Sequence, residues 1–309
     1  MRKLLIQLFF LLGTVALVLC LAYWWVFRHP YFDEYYARFA SPSAGSLVLG
    51  TSRAAQAVIP TVLQAQLGQR YEGPWLNYSF TLPQSPYGPT YLASIRRKLA
   101  PATRRGLFIV TVDAWSLSLP NPTSARPTVV FAEEKSLLGR FHTVSQQPNF
   151  DYLLHNTPSP LYSLLLTDFD AAPMHLHADG WLEVLHRPPL PHTTQLKNPI
   201  LHTYQHLAAS QHLSPERLAS LRQLLYFLKP HGQVVLVRLP NSAAFFAMEQ
   251  RYQPQFDALM TQTSAALGVP YLNYSRCSYA TTDGNHLWSG AARDFSRRLA
   301  QDIAALPSH

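Results

Sequence analysis

The chain has 309 residues, 48% of them hydrophobic, and 25 Lys and Arg against 17 Asp and Glu give it a net charge of +8. That hydrophobic share suffices for a buried core and excludes an intrinsically disordered chain, while two cysteines, Cys20 and Cys277, exclude a disulfide-stapled scaffold. The basic residues are scattered, with pairs at Arg96-Arg97, Arg104-Arg105 and Arg297-Arg298. Solvated surface is the plain reading, an anionic membrane surface or polymer is the partner such a charge would suit, and no nucleic-acid partner is expected.

The first element is apolar. From Leu4 to Phe27 there is no charged residue and only Gln7 and Thr14 interrupt as polar side chains, a length that crosses a hydrocarbon layer of ~30 Å as a helix. Residues 1–28 are therefore read as one transmembrane anchor. Arg2 and Lys3 before it favour a cytoplasmic N-terminus and an extracytoplasmic C-terminal domain, and Tyr23, Trp24 and Trp25 fit an interfacial aromatic belt. A cleavable signal peptide is the rival reading, but the run is long for one and no small-x-small site follows it. Leu19 before Cys20 stands where a lipoprotein signal needs a small residue.

Residues 29–45 read as a connector, with turn chemistry at Ser41-Pro42-Ser43-Ala44-Gly45, and a domain is expected from 46 to 309. Leu47-Val48-Leu49 is a short apolar strand that ends at Gly50 and delivers Ser52 to a loop. Ala54 to Leu67 reads as helical with a boundary at Pro60, and Trp75 to Phe80 as a strand. Tyr87 to Leu99 carries Tyr91, Leu92, Ile95 and Leu99 on one helical face, and Leu107 to Val112 is the clearest strand. A Pro- and His-rich stretch at about 114–199, with helix-like pieces at Tyr152-Leu153-Leu154 and Leu161 to Leu166, reads as an insertion or a substrate-covering lid. Gln233 to Leu239 is a strand, Ala243 to Leu267 helical, and Gly268 to Asn273 a turn and last short strand before a C-terminal helix. Strands alternating with helices predict an α/β, doubly wound parallel sheet covered on both faces, whose ligands sit outside the strands' carboxyl ends.

At that edge the chain places Ser52, in Leu49-Gly50-Thr51-Ser52-Arg53, and Asp283-Gly284-Asn285-His286. A serine hydroxyl attacks a carbonyl only if an imidazole takes its proton and a carboxylate orients that imidazole, and these segments offer all three groups. The plainer readings are that Ser52 caps the helix near Ala54 and that Asp283-Gly284 is only a turn.

Strand-Gly-x-Ser near one end and Asp-x-x-His near the other resemble the SGNH/GDSL hydrolase superfamily, a flavodoxin-like three-layer fold, over nearly all of the chain after the anchor. The resemblance implies Ser52 as nucleophile, His286 as general base and Asp283 as its orienting acid. It also implies an oxyanion hole, which the family completes with a glycine after the second strand and an asparagine after the third. Here Asn77-Tyr78-Ser79 and Val112-Asp113-Ala114 stand in those places, so the expected donors are the backbone amides at Ser52-Arg53 and near Ser79, with Asn77 as the side-chain donor. Asn77 could instead bridge strands. Arg53 could hold a substrate anion or a structural carboxylate, and Asp113 reads as a cap.

His175-Leu176-His177 lacks a third ligand, so no metal site is expected, nor any cofactor. The anchor and the altered middle blocks look most like the superfamily's bacterial surface-polymer members, related to alginate O-acetylation and teichoic acid D-alanylation. That implies a serine esterase or O-acyltransferase acting on a cell-surface glycan or glycolipid, beside a membrane-bound acyltransferase partner. The alternative is a non-catalytic accessory protein that binds such a polymer or partner.

Overall fold

The computed structural model describes residues 1–28, 34–122, 131–156, 173–185 and 198–307. Leu161 to Leu166, and the proline clusters at 158–160 and 188–191, lie outside the described residues. The first element is an α-helix, Arg2–Arg28, whose span Arg2–Ala22 is long and apolar enough to cross a membrane.

A five-stranded sheet follows. Its strands are β1 (Ser46–Leu49), β2 (Trp75–Asn77), β3 (Gly106–Thr111), β8 (Gly232–Arg238) and β9 (Tyr271–Asn273), with four short strands between: β4 (Ser118–Pro120), β5 (Met174–Leu176), β6 (Leu182–Val184) and β7 (Gln211–Leu213). The sheet order is β2-β1-β3-β8-β9 and every pair is parallel. The chain starts at β1, steps outward to β2 and returns to the other side at β3. The topological switch thus falls beside β1, where ligand crevices of doubly wound sheets form.

Period-two alternation builds both layers. Leu47, Leu49, Phe108, Val110, Val234 and Leu236 face one core with Ile95, Leu221 and Met260, while Val48, Leu107, Ile109, Val235 and Val237 face the other with Leu63, Phe295 and Leu299. Both faces being covered explains why these strands read as continuous apolar runs.

The Ala54 to Leu67 stretch is two helices, Ser52–Ala57 and Pro60–Leu67, with the boundary at Pro60 as expected; Pro60 takes the first helical position, where its missing N–H costs nothing. Other elements differ from the sequence reading. Ala243 to Leu267 is likewise two, Ala243–Tyr252 and Phe256–Leu267, separated at Gln253-Pro254-Gln255. The strand at Trp75 stops at Asn77. Pro199–Ser210, and Pro215–Leu228, whose N-cap Ser214 accepts from Glu216 and Arg217 N–H, are helices beyond the sequence reading.

Within the stretch read as connector, Tyr36–Ala40 is a short helix with Arg38, Phe39 and Ala40 buried. From the insertion, β4 pairs with β7, which lies beyond it, and the β5–β6 hairpin docks on the sheet edge, where Asn77 N–H donates to Asp179 O at 2.7 Å.

Candidate active site

Ser52 follows β1 through a backbone that only glycine tolerates. Gly50 has φ +152°, and a Cβ there would lie 1.9 Å from Thr111 Oγ1. Tyr91 OH accepts from Gly50 N–H at 3.1 Å and Ser85 Oγ donates to Gly50 O at 2.7 Å, which fixes the bend. Ser52 is the first residue of its helix; the cap position belongs to Thr51, which makes no side-chain capping bond. The Ser52 hydroxyl is therefore not spent as a cap and meets His286 Nε2 at 2.9 Å.

His286 reaches it from the turn after β9. Gly284, at φ +83°, makes that turn, and its N–H donates to Thr281 Oγ1 at 3.1 Å. Asp283 Oδ1 accepts from the N–H groups of Asn285 (2.9 Å) and His286 (2.8 Å), and Oδ2 lies 2.6 Å from His286 Nδ1. Burial alone would raise the Asp283 carboxyl, but the His286 imidazole and these two N–H donors outweigh it and hold the group below its ordinary range. An ionised carboxylate only accepts, so Nδ1 carries the ring proton and Nε2 is left to accept from the Ser52 hydroxyl. The side chains of His286 and Asp283 are 13% and 14% exposed, enough for solvent or substrate to approach.

The other residues singled out in the sequence are differently placed. Asn77 is fully buried and donates both Nδ2 hydrogens, to Ala54 O and Val58 O at 2.8 Å each, while its Oδ1 accepts from Ser79 N–H at 3.2 Å. It bridges β2 to the last turn of the Ser52 helix, and its amide has no hydrogen left for an oxyanion. Ser79 is equally buried, with its N–H spent on Asn77 and its Oγ donating to Val48 O at 3.3 Å. These two expectations are corrected: neither residue presents a donor to the Ser52 hydroxyl.

Arg53 is also turned inward, donating to Glu249 Oε1 at 2.9 Å and Leu239 O at 3.1 Å, with Asp113 at 4.0 Å. It is a structural ion pair, not a hand for a substrate anion. Glu249 in turn accepts from Arg238 Nη2 at 2.9 Å, so the residue after Ser52 is bolted to the end of β8. Asp113 accepts from Ser116 N–H at 2.8 Å as a cap, and burial pushes its carboxyl up. His177 pairs with Glu183 at 2.9 Å on the docked hairpin.

Sequence reasoning missed Asn198 and Tyr204 on the unanticipated helix. Asn198 caps that helix through Ile200 N–H and donates Nδ2 to Asp283 O, and Tyr204 OH accepts from Asn285 Nδ2 at 3.2 Å. The Asn-Pro pair at 198–199 was the available signal for a helix start. At the Ser52 end, Ala54 and Ala55 N–H donate to Thr51 O, so among the described residues no acceptor lies on Ser52 or Arg53 N–H.

No protein-family model matches the chain, and no curated protein matches it. Among solved structures it is similar to Est24, a carbohydrate acetylesterase from Sinorhizobium meliloti, with 13% identity over 85% of this chain and 100% of that one, at a TM-score of 0.41. An inhibitor-bound aryl esterase of M. smegmatis has 13% identity over 85% of this chain and 100% of that one, at a TM-score of 0.39. Neither likeness carries the chemistry, which rests on the side chains above.

Proposed function

We propose that the chain is a membrane-anchored serine esterase or O-acyltransferase of the SGNH type, acting on acyl esters of a cell-surface glycan or glycolipid. The observation that carries the reading is the hydroxyl–imidazole–carboxylate series at 2.9 and 2.6 Å, built from two ends of the chain. Ser52 Oγ attacks the ester carbonyl as His286 Nε2 takes its proton. The imidazolium, held by Asp283, then gives that proton to the departing alkoxide, and an acyl-serine passes to water or to a sugar hydroxyl by the reverse steps. The apolar Arg2–Ala22 span supports an anchor, and Arg2 and Lys3 support a cytoplasmic N-terminus with the catalytic domain outside.

A fluorophosphonate probe tests the reading: the full-length protein is labelled covalently and Ser52→Ala is not. A folded wild type that takes no label removes it. One observation favours the alternative, a non-catalytic accessory protein: Asn77 and Ser79, the expected oxyanion donors, are spent inside the fold.

A further inference from the structure

The spent amide of Asn77 leaves the site short of a side-chain donor for the oxygen that becomes negative when Ser52 attacks. A second asparagine stands at the same edge. Asn241 lies three residues beyond the end of β8, in a segment pinned at two points. Before it, Leu239 O accepts from Arg53 Nη2 at 3.1 Å, and Arg53 adjoins Ser52. After it, Ser242 N–H donates to Gly284 O at 2.8 Å, and Gly284 adjoins Asp283. Asn241 thus occupies the span between the hydroxyl's helix and the imidazole's turn.

Asn241 is 5% exposed, and among the described residues neither Nδ2 nor Oδ1 has a hydrogen-bond partner. A buried amide left unpaired is costly and rare in folded proteins, and such groups collect at sites that bind something. Asn285, on the other side of Gly284, differs: its Nδ2 is committed to Tyr204 OH and only its Oδ1 is unpaired. Asn241 keeps an N–H₂ group uncommitted and shielded from water, a setting in which a donor stabilises developing negative charge strongly.

We propose that Asn241 is a catalytic residue whose Nδ2–H donates to the oxyanion formed at Ser52. The proposal rests on the esterase reading of the Ser52 site. In the step it serves, Ser52 Oγ bonds to the carbonyl carbon, its proton passes to His286 Nε2, and the carbonyl π pair moves onto the oxygen that Asn241 holds. Collapse returns that pair, breaks the bond to the alkoxide and sends the proton from His286 to it.

The test is hydrolysis of p-nitrophenyl acetate by the full-length protein in detergent micelles. Asn241→Ala lowers kcat by about 10²–10³-fold, the loss typical of one oxyanion donor, leaves KM within about threefold, and keeps the thermal midpoint near wild type. Asn241→Asp has the same shape but sets a carboxylate against the oxyanion, so it loses at least as much. A folded Asn241→Ala with kcat within about threefold of wild type overturns the proposal, as does recovery of activity in Asn241→Asp, which marks a space-filling role. If both variants fail to fold, Asn241 is structural and the proposal falls. An active, fluorophosphonate-labelled wild type beside an unimpaired Asn241→Ala sinks this proposal alone. A wild type with neither turnover nor label sinks the esterase reading beneath it.

Discussion

Asp283 uses both oxygens of one carboxylate, Oδ2 toward His286 Nδ1 and Oδ1 toward two backbone N–H groups of its own turn. Asp283→Asn preserves the turn but lets an amide nitrogen face the ring, which selects the wrong tautomer; kcat for an activated ester falls by about 10⁴ while the fold is retained. The same substitution changes the acid response. A carboxyl held below its ordinary value contributes stability that is complete above its unfolded pKa of ~4 and is lost as pH falls through the lower native value. Thermal unfolding between pH 5 and 2 is therefore shallower in Asp283→Asn than in wild type. Lys98 behaves in the opposite chemical sense but with the same sign. Burial pulls its ammonium down to about 7, and its Nζ donates to the Ser41 and Val144 carbonyls at 2.5 Å each. Between the native value of about 7 and the ordinary value of 10.5 the unfolded chain holds the extra proton, so stability rises with pH across that window and is lowest below it. Lys98→Met flattens that rise and stabilises the protein at pH 6 by on the order of 1–3 kcal/mol, the two lost carbonyl bonds setting the lower figure. Denaturant melts at pH 6 and pH 10 check both parts.

The helix Pro199–Ser210 lies against the turn that carries Asp283 and His286. Through Asn198 and Tyr204 it holds Asp283 O and the Asn285 amide, and Tyr204 packs edge-on against Trp115 and Phe245. Asn198→Ala removes both the cap and the hold on Asp283, so stability drops by about 1 kcal/mol. Loosening the turn lowers kcat by about tenfold with KM little changed, measured on p-nitrophenyl acetate beside a melting curve. A fall in stability with kcat unchanged would reduce Asn198 to a cap. The helix start was signalled by Asn198-Pro199, but its contacts with the turn were not legible in the sequence, because they depend on which distant carbonyl faces which amide. Asn77 has the same history: its place after β2 was readable, while the Ala54 and Val58 carbonyls that consume its hydrogens are set by packing between elements. The strands at Leu47, Leu107 and Gln233 were readable because burial on both faces leaves an unbroken apolar run. The meeting of Ser52 with His286 was readable in outline, since a parallel sheet gathers the loops after its strands at one edge. The docking of the insertion's β5–β6 hairpin on that sheet was not, because strands of three residues are too short for their alternation to stand out.

For the molecule as a whole, the division between the apolar helix and the domain falls earlier than composition suggested. Arg2–Ala22 is unburied by the rest of the chain, whereas the core begins at Phe39, which is 0% exposed and packs against Tyr78, Phe80, Phe141 and Tyr152. Arg38 beside it donates to Asn77 O at 3.2 Å and Gly180 O at 2.8 Å, tying the segment to the sheet edge and to the docked hairpin at once. Removing residues 1–33 should therefore leave a folded protein that stays in the supernatant, melts at the temperature of the detergent-solubilised full chain and takes the fluorophosphonate label. Removing residues 1–45, a cut that the composition of the connector invites, strips out Phe39 and Arg38 together. Deleting one buried phenylalanine costs about 3–5 kcal/mol against a total stability of roughly 5–15 kcal/mol, and the two carbonyls that Arg38 satisfies are left without that donor. The shorter truncation product should be insoluble or melt far below the longer one. Equal melting temperatures for the two would show that Tyr36–Ala40 is a tether and not part of the fold, whereas loss of folding at residue 34 would make the apolar helix itself a structural element of the domain.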